Sequence, residues 1–190
     1  GVPIQTGGIA LAVNRQFLVA SEVPPFLRFC VGVTLSGFDC SSASNFLIDL
    51  GEFSTSQTKF GQAEMMAVTN AASGLSISIS GTTLTSGNNI ISQLLVQTAA
   101  SPGASQFGIN LRANTTPSVG ANPTGPGVAN PTAAYNTPNQ FRFQPGDVVA
   151  SSSAPNDYRK FTVSYIANID SNQLPGVYAT TISFICLANF

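Results

Sequence analysis

Leu75-Ser76-Ile77-Ser78-Ile79-Ser80 is the stretch that decides the fold of this chain. Every second residue is a large aliphatic side chain and every other one is serine. A strand points successive side chains to opposite faces, so this period of two makes one greasy face and one wet face. A helix would scatter the same residues around its circumference. The segment therefore reads as a half-buried β-strand.

The same period recurs on both sides of it. Phe107, Ile109 and Leu111 alternate with Gly108, Asn110 and Arg112, and Leu27, Phe29, Val31, Val33 and Leu35 share a face opposite Arg28, Cys30, Gly32 and Thr34. Phe161, Val163, Tyr165, Ala167 and Ile169 form a stripe, and Ile182, Phe184, Cys186 and Ala188 form another. Gly, Pro, Asn and Ser clusters punctuate these runs as turns. Strands are expected near 8–14, 16–22, 26–34, 45–50, 62–70, 74–81, 88–97, 105–112, 140–151, 158–169 and 176–188. The nearest helical competitor is 61–72, but its Met65, Met66 and Val68 also suit a strand. Many short strands at this spacing predict an all-β fold, an antiparallel β-sandwich or jelly roll.

Two regions depart from the pattern. Residues 113–139, ANTTPSVGANPTGPGVANPTAAYNTPN, are too rich in Pro and Gly for ladder strands and read as a long loop inserted in the domain. An uncharged loop of this length needs something to order it, and neighbouring subunits are the expected source. At the start, Gly7-Gly8 precedes Ile9-Ala10-Leu11-Ala12-Val13. A glycine hinge before an apolar alternating strand is what donation of a strand to a neighbour requires. Residues 1–14 are thus a candidate donor strand, with Ile4, Ile9, Leu11 and Val13 as its interface side chains; the other reading is a first strand paired in its own sheet. Residues 15–190 make a single β-sandwich domain. The opening Gly1-Val2-Pro3-Ile4, without an initiator Met, fits a processed start.

Chemistry-bearing groups are scarce. The 190 residues hold no His, seven Lys and Arg, and eight Asp and Glu, with a charged fraction of 8% against an apolar fraction of 43%. Proton transfer and metal activation need such groups to converge, so an enzyme is disfavoured and neither a cofactor nor a metal is expected. A net charge of −1 offers nothing to a nucleic acid. No apolar run is long enough for a helical membrane span. Few charges mean little repulsion and little desolvation when copies of a protein pack together, which points to self-association.

Cys30 and Cys40 are ten residues apart, and a hairpin turning near 34–36 would set them opposite each other in a disulfide, leaving Cys186 as a buried free thiol. Pairing of Cys186 with either partner, or no bond, are the alternatives. Asn114-Thr115-Thr116 is the one glycosylation sequon and a candidate glycan site. Asp170-Ser171-Asn172 reads as a turn, and Lys59 or Lys160 as a remote candidate for an isopeptide bond.

Residues 158–190, YRKFTVSYIANIDSNQLPGVYATTISFICLANF, read as two long strands around Pro175-Gly176. Pro175-Gly176-Val177-Tyr178 followed by alternating Thr, Ile and Phe resembles the closing hairpin of secreted bacterial surface β-sandwich proteins, such as pilin or biofilm-fibre subunits and S-layer-like proteins. A fainter echo lies in 63–81. The chain has no Trp, so the tryptophan motif of one wall-binding family is absent. The resemblance implies an extracellular, cell-surface structural subunit that binds copies of itself. An S-layer or viral jelly-roll shell subunit, or a monomeric adhesin or carbohydrate-binding module, is the alternative.

Overall fold

A computed structural model describes residues 1–4 and 7–190. Its strands are β1 (Leu27–Gly32), β2 (Lys59–Thr69), β3 (Leu75–Gly81), β4 (Thr85–Ser86), β5 (Asn89–Ile90) and β6 (Gln106–Asn110). They continue as β7 (Asn114–Thr115), β8 (Ser118–Val119), β9 (Asn130–Pro131), β10 (Val148–Ser152), β11 (Asn156–Asn168) and β12 (Ile182–Ala188). Among the described residues the helical content is two 3-10 turns, Cys40–Ser42 and Ala133–Tyr135. The protein is all-β, as the alternation requires.

Two four-stranded antiparallel sheets, β1-β2-β11-β6 and β12-β3-β10-β9, face each other across the core. β2 runs into β3 and β10 into β11, and the two ribbons pair with each other in both sheets. One long double ribbon thus wraps from sheet to sheet, the winding of a jelly roll. Two pairs of very short strands, β4-β5 and β7-β8, decorate it.

The opening motif behaves as its period demands. Leu75, Ile77 and Ile79 are fully buried, while Ser76 and Ser78 are half-buried and Ser80 is exposed. Phe161, Val163 and Ala167 meet them from β11, and Phe107 packs edge-on against Phe143 with centroids 5.0 Å apart. The helical competitor at 61–72 is strand β2, followed by a turn. Met66 and Ile166, on the outer face of the first sheet, are buried as well as its core face. A third layer of chain therefore covers that face.

Several expected strands do not form. Residues 8–14 and 16–22 have no strand structure and lie exposed. Residues 45–50 are irregular: Ile48 and Leu50 point inward where Gly61 leaves room, since a Cβ there would lie 2.4 Å from Ile48 Cγ2. Of 88–97 only Asn89–Ile90 is strand, and of 140–151 only the part from Val148. Phe141 and Phe143 are nonetheless fully buried, held by isolated bridges from Phe141 to Thr98 and from Arg142 to Ile109. Burial alone made these segments look like strands. The expected closing hairpin is also not one: β11 and β12 lie in different sheets. The Asp170–Gln173 turn between them is present, with Asn172 N donating to Asp170 Oδ1 at 2.8 Å.

Candidate functional site

Strand donation needs a free strand and a free edge, so the arm and the sheet edges come first. The arm is rooted by Asn70, just past the end of β2. Asn70 Nδ2 donates to Pro24 O at 2.9 Å, Phe26 N donates to Asn70 Oδ1 at 2.7 Å, and Asn70 N donates to Phe26 O at 3.3 Å. Before this clamp the apolar side chains stand in solvent. Ile4, Ile9, Leu11 and Val13 are 88%, 89%, 88% and 96% exposed, and Phe17, Leu18 and Val19 are exposed to the same degree. The first strand is thus not paired within its own sheet. Exposing seven large apolar side chains in sequence leaves each without about 1.5–3 kcal/mol of burial energy, and patches of this kind mark interaction surfaces.

The two sheets have four edges, and three are blunted. β6 is flanked by Ser92 and Leu94, which exchange backbone bonds with Phe107, and by Arg142, which does so with Ile109. β9 is two residues long and ends in Pro131. β1 carries Arg28 and runs into a loop tied back to it: Val33 N donates to Asn45 O at 2.9 Å, and Cys30 is bonded to Cys40. β12 has seven residues, Ile-Ser-Phe-Ile-Cys-Leu-Ala, with no charge, Gly or Pro, and among the described residues it pairs on one side only. Its Phe184 and Cys186 are half-buried at the mouth of the core, and its outward Ile185 and Leu187 are 49% and 58% exposed. Proteins usually protect such edges with charge, Pro or a covering segment.

The disulfide forms between the expected cysteines, with Cα atoms 5.6 Å apart, but not across a hairpin ladder. The paired residues of the loop are Thr34 and Ser44, and Cys40 begins a 3-10 turn at its tip. Asp39 caps that turn; bonds from the Ser41 hydroxyl and backbone N–H hold its carboxyl below the usual range. Cys186 is free, and burial pushes its thiol from an ordinary 9.0 up to about 11.

The 113–139 segment is ordered by its own chain, which corrects the expectation that neighbouring subunits hold it. Arg159 reaches back with Nε to Ala129 O (3.0 Å) and Nη1 to Gly125 O (2.9 Å). Thr124 and Lys160 exchange backbone bonds at 2.9 Å, and Asn156 Oδ1 accepts from Ala129 N at 2.7 Å. Asn110 Nδ2 holds Thr137 O and Gln140 O. This segment and the 34–44 loop meet where Phe38 packs over Gly125 and on Tyr158 of β11, and together they form the third layer. Gly125 lies so close under Phe38 that a Cβ there would sit 2.7 Å from the ring.

Asn114 is part of that packing, which corrects its reading as a glycan site. It is buried, and its Nδ2 donates to Arg112 O (2.8 Å), Val119 O (3.1 Å) and Ser164 Oγ (3.3 Å). A sugar on Nδ2 would replace one of the two protons that make these bonds, at a side chain that is buried. Its Oδ1 accepts from Asn139 N, and Asn139 Oδ1 accepts in turn from Thr115 N and Thr116 N. The sequon pattern carries no signal for this use.

The remaining polar groups serve the fold. Tyr135 Oη and Arg142 Nε both donate to Asp147 Oδ2, at 2.9 and 2.8 Å; burial, then Asp147, raises the phenol above its ordinary value. Lys160 Nζ is paired with Glu64 at 3.0 Å and donates to Leu35 O at 3.3 Å. Among the described residues, no three of His, Cys, Asp and Glu come together as a metal site. No described helix is long and apolar enough to cross a membrane. Comparisons with protein-family models, with curated proteins and with solved structures found no match.

Proposed function

We propose that this chain is a structural subunit of an extracellular homopolymer, a pilus-like filament or fibre at the cell surface, joined by β-strand addition. The carrying observation is the arm. Residues 9–13 alternate like a strand, are uncharged, and leave Ile9, Leu11 and Val13 fully in solvent beside a folded domain that does not need them. Backbone hydrogen bonds to a sheet edge would supply affinity, and the alternate apolar side chains would supply register. A contact between two different surfaces of identical subunits propagates into an open chain. The disulfide suits an oxidising compartment outside the cytosol.

Removal of residues 1–14 tests this reading. The truncated chain should keep the unfolding transition of the full chain and lose its polymer, as seen by electron microscopy and size-exclusion chromatography. A truncated chain that assembles as before would sink strand donation by the arm. The same micrographs separate filaments from a two-dimensional lattice or a closed shell.

A further inference from the structure

The acceptor for the arm can be identified from backbone direction alone. Within an antiparallel strand, backbone groups of alternate residues point to opposite neighbours. In β3, Ile79 N donates to Asp147 O and Ile79 O accepts from Gly146 N, both toward β10. Ser76, Ser78 and Ser80 therefore face β12, where they pair with Leu187, Ile185 and Ser183. The bonds Asn189 N to Gly74 O and Ser73 N to Asn189 O continue the same phase. It follows that Ile182, Phe184, Cys186 and Ala188 turn their N–H and C=O groups away from β3, to the open edge. Three of them, Ile182, Phe184 and Cys186, pack their side chains against the core at its half-open mouth.

We infer that this edge of β12 receives residues 8–14 of a second copy as a fifth, antiparallel strand; the inference rests on the assembly reading above. Both segments are seven residues long, about 23 Å when extended, and neither has a charged side chain. The apolar face of the donor must fall on the core side, which sets the register. Ile9 lies opposite Cys186, Leu11 opposite Phe184 and Val13 opposite Ile182. Each donor side chain then covers a half-buried one, and on the other face Ala10 lies opposite Ile185 and Ala12 opposite Ser183.

The donor comes from another copy for a topological reason. The root of the arm at Asn70 and the end of β12, tied to Ser73 and Gly74, lie at the same end of the sandwich. An arm leaving that end runs parallel to β12 when it lies along its own edge. It pairs antiparallel only after residues 14–26 have first run back the full length of the strand. A neighbour's arm has no such constraint.

Native Cys186 makes the inference testable. Opposed residues exchanging backbone bonds have Cα atoms about 5.5 Å apart, within disulfide reach. Under mild oxidation of the full-length polymer, Ile9→Cys should give a reducible ladder of covalent oligomers on a denaturing gel. Ala10→Cys, on the opposite face, should give none, and Ile9→Cys with Cys186→Ala should lose the ladder. If filaments persist but Ile9→Cys gives no ladder, the acceptor lies elsewhere and strand donation survives. If the crosslink forms only within single chains, the arm closes on itself and a second copy is not the donor. If neither filaments nor ladder appear, the acceptor assignment and the assembly reading both fall.

Discussion

The arm at residues 1–26 and the insertion at 113–139 are both charge-poor, yet they end in opposite states. The insertion, with its Pro and Gly, looks loose and is locked; the arm, with its alternating Ile, Leu and Val, looks like a strand and stands free. The difference lies in where the polar partners are. Arg159, Asn156, Asn110, Asn114 and Asn139 place donors and acceptors against the backbone of the insertion. Among the described residues the arm is held at its root, by Asn70 and by Thr69 Oγ1, which donates to Phe26 O at 2.7 Å. Backbone needs hydrogen-bond partners to be ordered, and apolar side chains without a second strand do not provide them.

Three measurements can break or sharpen this contrast. Gly120 adopts φ +85°, and a Cβ there would lie 2.1 Å from Ser164 Oγ and 2.7 Å from Arg112 O. Gly120→Ala should therefore cost about 3 kcal/mol or more in denaturant unfolding; an unchanged midpoint would show that the insertion is not part of the cooperative unit. Asn156→Ala comes next. It strands Ala129 N and Ala67 O in a buried site and should cost about 2–4 kcal/mol, read the same way. The smallest effect belongs to the arm: Leu11→Ser should change the stability of the monomer by less than about 0.5 kcal/mol while weakening assembly. A large loss of monomer stability would mean that the arm packs on its own domain.

The strands that carry the core were legible because their period and their environment agree. Leu75, Ile77 and Ile79 need only one buried face, and the pattern states which. Segments such as 45–50 and 140–147 misled because Ile48 and Leu50, half-buried, and Phe141 and Phe143, fully buried, sit on irregular chain, for which alternation is no test. Residues 8–14 misled in the other direction, since a strand pattern promises a partner without saying that it lies in the same molecule. The disulfide pairing was legible from spacing, but its setting in a loop tip was not. Asn70, Asn110 and Asn156 were invisible, because an Asn that braces distant backbone looks like an Asn in any turn.

By itself the sequence determined an all-β chain with a large apolar core, few ionisable groups, and three cysteines of which Cys30 and Cys40 are the favoured pair. Those follow from composition and from side-chain period, which are local. Only the tertiary structure decided which segments occupy edges, that the Pro- and Gly-rich insertion roofs the first sheet, and that Asn114 is buried within it. The same holds for the few charges. In the sequence they argued for packing against copies; in the fold they leave β12 an edge strand without a charge to guard it. Edges, roofs and clamps depend on which distant backbones meet, and pairing between distant segments leaves no periodic trace along the chain.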